Sequence, residues 1–110
     1  MLSSTGLSLR APIAVPVEIR APARRAFRLA FQVGEDGVTL QRGVPFEAGR
    51  PVDLSFTLPD GAERLALRAE LVAGDGDEGA APTELAFLDP PEAARAALRR
   101  YVHDRLGLPG

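Results

Sequence analysis

The chain has 110 residues, 45% of them hydrophobic and 25% charged, with a formal net charge of −2. That size and balance suit one globular domain with no room for a second, and so small a charge offers no field for DNA, RNA or an anionic membrane. Cysteine is absent, which excludes disulfides, thiolate metal sites and a cysteine nucleophile.

Residues 1–9 are short and Ser-rich and are expected to be a loose lead-in, with a single domain over 10–110. No run approaches the roughly 18 apolar residues of a membrane span, and no signal segment is evident, so a cytoplasmic protein is expected. From Ile13 to Ile19, Ile13, Val15, Val17 and Ile19 occupy every second position, the period of a half-buried strand. Pro16 inside it has no N–H to donate, which suits an edge or an outward-facing nitrogen. Arg20 to Arg25 reads as a connector, after which Phe27, Leu29, Phe31 and Val33 restart the alternation as the inner face of a second strand.

Gly34, Glu35, Asp36 and Gly37 make a tight turn, and Val38 and Leu40 resume the period. Gly43 to Gly49 reads as a short bent piece. The central hairpin follows: Val52, Leu54, Phe56 and Leu58, a reversal at Pro59, Asp60 and Gly61, then Leu65, Leu67, Ala69 and Leu71. Residues 73–82, AGDGDEGAAP, have no period and read as an exposed loop. Thr83 to Leu88 gives a last strand with Leu85 and Phe87 inside.

The period then changes to helical. Asp89 is expected at the N-cap with Pro90 at the first helical position and Glu92 three residues after the cap. Ala94, Leu98, Tyr101, Val102 and Leu106 form one stripe, and Gly107 stops the helix. Six or seven strands and one terminal amphipathic helix predict a mainly β fold, a small antiparallel barrel or open sheet covered by the helix.

The chemistry-bearing residues are few. His103 is the single histidine, on the helix beside Asp104, and has no second His or Cys to complete a metal site or a triad. Neither catalytic residues nor a metal or cofactor are expected, and the chain is read as a non-enzyme. Glu35 and Asp36 are adjacent in a turn, where paired carboxylates serve solubility, and AGDGDEG lacks the spacing of a calcium loop. All 13 basic residues are arginine, the side chain that forks onto phosphates and stacks on bases. Arg20, Arg24, Arg25 and Arg28 cluster near one hairpin mouth.

From about Arg10 to Leu106 the sequence resembles the PilZ family. The resemblance is carried by the glycine turn at Gly37 with Val38 and Leu40, by Gly49-x-x-Val52-x-Leu54-x-Phe56-x-Leu58-Pro59-x-Gly61, and by Glu84-Leu85-Ala86-Phe87 entering the helix. It implies a six-stranded barrel with a lid helix and a cyclic di-GMP ligand held by Arg-x-x-x-Arg before the first strand and Asp/Asn-x-Ser-x-x-Gly in the turn leading to the third. Arg10 matches the first arginine, but the second falls on Ala14. Gln32 and Gly34 stand where the acid or amide and the serine belong, so Arg10 and Gly37 alone are kept. A shifted register is open, because Arg20-Ala21-Pro22-Ala23-Arg24 also spells the arginine motif.

The reading is therefore a PilZ-like adaptor in a cyclic di-GMP-related bacterial pathway such as motility, type IV pili or surface attachment. It is expected to bind the nucleotide weakly or not at all and to act by protein contacts, for which Arg95, Arg99 and Arg100 on the helix are candidates. The alternative is a working receptor using Arg20 and Arg24. Partner identity and oligomeric state are not legible in the sequence.

Overall fold

The computed structural model describes residues 9–44, 46, 49–59, 61, 64–73 and 83–108. Among them the elements run β1 (Ala11–Ala21), β2 (Arg24–Val33), β3 (Gly37–Leu40), β4 (Pro51–Thr57), β5 (Arg64–Ala73), β6 (Thr83–Phe87) and α1 (Glu92–Leu106). All neighbouring strands are antiparallel and close into a barrel in the order β1-β2-β3-β6-β5-β4. Among the described residues the strand count is thus six, and Val44 and Phe46 from the piece after Gly43 are buried.

Period-two alternation builds the interior. β4 and β5 pair Leu54 with Leu67 and Phe56 with Leu65, and all four side chains are buried, each contributing about 1.5–3 kcal/mol. Val17 and Ile19 of β1, Val38 and Leu40 of β3 and Leu85 of β6 complete the same core. β1 is not an edge strand of the closed barrel, but its ladder with β4 spans only Glu18 to Arg20, so Pro16, which precedes it, is asked for no bond to β4. α1 buries Ala94, Leu98, Tyr101 and Val102, and the Tyr101 hydroxyl donates to the Pro12 carbonyl oxygen at 2.9 Å, so the helix is fastened where β1 begins.

Four local expectations are corrected. The connector at Arg20–Arg25 is a two-residue turn, Pro22 and Ala23, because β1 continues to Ala21 and β2 starts at Arg24. β2 carries the opposite phase to the one its apolar residues suggest: Ala26 and Ala30 point inward while Phe27 and Leu29 are 57% and 41% exposed. An irregularity between Ala30 and Gln32 then restores Val33 to the core. The reason is volume. Ala26 faces Ile19, and Ala30 faces Val15 and Leu40, so small residues on β2 accommodate large ones on the strands beside it.

The helix also starts later than expected. Pro91 is the N-cap, without a side-chain cap, and Asp89 sits at φ 48°, turning the chain out of β6. At the other end Leu106 leaves the stripe and is 38% exposed, while Gly107 takes the left-handed φ of 71° that closes the helix. Most of the lead-in and of the AGDGDEGAAP stretch, residues 1–8 and 74–82, lies outside the described residues.

Candidate functional site

The turn from Gly34 to Gly37 is closed by the Gly34 N–H donating to the Gly37 carbonyl oxygen at 2.9 Å, and tied to the end of β6 by the Phe87 N–H donating to the Asp36 carbonyl oxygen at 2.9 Å. Leu9 and Arg10 lie directly against it. A Cβ placed on Gly34 would stand 2.5 Å from the Leu9 carbonyl oxygen, and one on Gly37 would collide with the Leu85 carbonyl oxygen and stand 3.2 Å from an Arg10 nitrogen. Both glycines are therefore required by close approach of backbone. Arg10 and Gly37, thirty-seven residues into the chain, meet in one corner because β1 and β3 both begin there.

All three guanidinium nitrogens of Arg10 have a partner at that corner. Its Nε lies 3.3 Å from Asp36 Oδ1 and its Nη2 3.2 Å from Glu84 Oε2, while Nη1 donates to Thr39 Oγ1 at 3.2 Å. The arginine side chain is only 19% exposed and both carboxylates are 44% exposed. Two carboxylates around one guanidinium leave the corner net negative, which repels a phosphate. Gln32, at the acid or amide position, is exposed on β2. β1 begins at Ala11, so Ala14, opposite the motif's second arginine, stands inside the strand with its side chain exposed.

Glu35, the neighbour of Asp36, points to the helix instead. It accepts from Arg99 Nε and Nη2, both at 3.2 Å, and lies 3.8 Å from Arg95 Nη2. This forked bond, with the attraction of the Glu35 charge, raises the Arg99 pKa above its ordinary value. Adjacent carboxylates that look like a solvated pair thus fasten two different elements: Asp36 holds the leading arm and Glu35 holds α1. Arg100, the third helix candidate, is exposed.

Arg20 and Arg24 are elsewhere. They flank the Pro22–Ala23 turn, ten residues beyond Arg10 or roughly 30 Å along the strand, and Arg20 is registered with Arg25 and Asp53. Arg20 lines an open groove of about 560 Å³ with Asp53, Arg68 and Leu88. The participation of Thr39 and Glu84 in the Arg10 corner has no sequence signal beyond alternation, since each is a lone polar residue at an outward position of a strand.

Comparison with known proteins adds the following. The family model for the PilZ domain matches residues 2–104. No curated protein matches the sequence. Among solved structures the chain is similar to the Bacillus subtilis inhibitor of motility, MotI/DgrA, with TM-score 0.75 and 16% identity over 96% of this chain and 52% of that one. It is also similar to the PilZ domain of CeSA from a cellulose-synthesizing bacterium, with TM-score 0.61 and 15% identity over 91% of this chain and 97% of that one. The chain spans about half the length of MotI/DgrA.

Proposed function

The chain belongs to the PilZ domain family, and from that membership we propose that it is a non-catalytic adaptor of cyclic di-GMP signalling that does not hold the nucleotide itself and works through protein contacts. The observation that carries this reading is the state of Arg10. Each of its three guanidinium nitrogens meets one partner, Asp36, Glu84 or Thr39, and the Leu9 backbone occupies the space that a serine side chain at position 34 would need. A ligand phosphate would have to displace two carboxylates to reach one arginine. Each charge-assisted bond given up costs about 1.5–3 kcal/mol, against a ligand that finds no second motif arginine on β1.

The process we assign is bacterial motility or surface attachment, supported by the likeness to an inhibitor of motility and to a PilZ domain from a cellulose-synthesizing organism. A cytoplasmic site of action is part of the same proposal; no helix among the described residues is long and apolar enough to cross a membrane. Calorimetric titration with cyclic di-GMP tests the reading. No saturable heat is expected up to about 100 μM, where −5.5 kcal/mol of binding would still register. Saturable binding abolished by Arg10→Ala would overturn it, and binding abolished by an Arg20→Ala, Arg24→Ala pair would establish the shifted register.

A further inference from the structure

We propose that the outer face of the β1–β2 hairpin docks an acidic amphipathic helix of a partner protein, with Pro16, Phe27 and Leu29 as apolar contacts and Arg20, Arg25 and the neighbouring Arg64 of β5 as the cationic flank. The proposal rests on the reading of the chain as a protein-contact module and names the surface and the chemistry of the partner. Phe27 and Leu29 stand 57% and 41% exposed, two residues apart on one strand, and the exposed Pro16 is the register partner of Leu29. All three therefore share one face of the sheet.

The spacing suits a helix. Phe27 and Leu29 lie about 7 Å apart along the strand, close to the rise of about 5.4 Å between successive turns that carry one apolar stripe. The patch is made of side chains on a sheet face, so a partner meets it with side chains of its own rather than by adding a strand.

Charge selects the occupant. On the outer face around Phe27, Arg20 and Arg25 of the hairpin and Arg64 and Arg68 of β5 stand with Glu18 and Asp53, in a chain whose net charge is −2. Glu18 lies 3.3 Å from Arg25 and 3.6 Å from Arg64 and Asp53 lies 3.8 Å from Arg68, so two carboxylates offset two of these four arginines and the face keeps a positive excess. Two copies meeting through this face would oppose their arginines, which disfavours a symmetric dimer. A helix with glutamates around a leucine stripe meets both the apolar centre and the basic end. An anionic vesicle surface meets the arginines but would have to accommodate Glu18 and the rigid sheet beside them.

The test uses the full chain, isotopically labelled, titrated with a synthetic peptide of about five turns, held helical by an i,i+4 side-chain staple, that carries leucines at three- and four-residue steps and glutamates interspersed with alanines elsewhere. Amide shifts at Phe27, Arg28 and Leu29 are expected. Affinity should fall about tenfold or more in Phe27→Ser with Leu29→Ser and in Arg25→Glu, all at exposed positions, with the thermal melt recorded to show that each variant is folded. A matched peptide with lysines for glutamates should not bind. Shifts elsewhere or none, or equal binding of the lysine peptide, would overturn the proposal. So would co-sedimentation with phosphatidylglycerol vesicles, or a dimer in sedimentation, that the serine variant abolishes. Cyclic di-GMP binding at the Arg10 corner would overturn the reading of that corner and leave this result standing; failure of the peptide leaves that reading intact.

Discussion

At the Arg10 corner a glycine turn, two carboxylates and a threonine close around one guanidinium, whereas on the outer face of β1 and β2 a phenylalanine and a leucine stand in water beside a group of arginines. Both regions belong to the same hairpin and its flanks. The first turns its charged groups on one another; the second leaves apolar area unburied. With Phe27 57% and Leu29 41% exposed, about 0.6–1.7 kcal/mol of burial is forgone at each, an arrangement that makes sense where another surface covers them.

The largest losses are expected from changing what is tightly packed. Gly37→Ala drives a methyl group into the Leu85 carbonyl oxygen, and Ala30→Leu enlarges a fully buried residue between Val15 and Leu40; each is expected to cost about 1–3 kcal/mol in urea denaturation. An unchanged midpoint for Ala30→Leu would mean that β2 has the other phase and that Phe27 and Leu29 face the core.

Arg10→Ala is expected to cost about 1–2 kcal/mol, because it leaves Asp36 and Glu84 without their shared cation. A variant as stable as the parent would show that the corner is not held by this side chain. Tyr101→Phe removes the hydroxyl bonded to Pro12 and should lower stability by about 0.5–1.5 kcal/mol, with hydrogen exchange quickened first in α1.

Phe27→Ser sharpens the contrast from the other side. With the side chain mostly in solvent, stability should move by no more than about 0.5 kcal/mol, while any partner affinity of the face falls. The smallest effect expected is that of pH on the link between α1 and the β2–β3 turn. Glu35 raises the Arg99 pKa, so the contribution of the arginine charge is complete below arginine's ordinary value and is lost only as pH rises through the raised one. Stability should therefore show no step from Arg99 between pH 6 and about 10; a step there that disappears in Arg99→Ala would contradict the assignment.

Much of the barrel is legible before any coordinates. β1, β3, β4, β5 and β6 each bury the residues their alternation selects, from Ile13, Val15, Val17 and Ile19 to Leu85 and Phe87, and the helix buries four of its five stripe positions. Reading failed where neighbours outvoted the strand itself. In β2 the larger apolar set lost its place to Ala26 and Ala30, since opposing strands had already filled the interior, and at Asp89 a cap signal was overridden by the turn leaving β6. The adjacent Glu35 and Asp36 looked alike because nothing local says that one faces a helix fifty-seven or more residues away and the other an arm twenty-six residues earlier.

The sequence by itself determined the class of fold and the erosion of the nucleotide motifs, because alternation, turn residues and missing side chains are local properties. Only the tertiary structure decided that Arg10 is held by Asp36, Glu84 and Thr39, and that β2 turns Phe27 and Leu29 outward. Those outcomes depend on which groups closure of the barrel brings within about 3–4 Å of one another and on how much volume the other strands leave inside it, and neither quantity is written in any one stretch of chain.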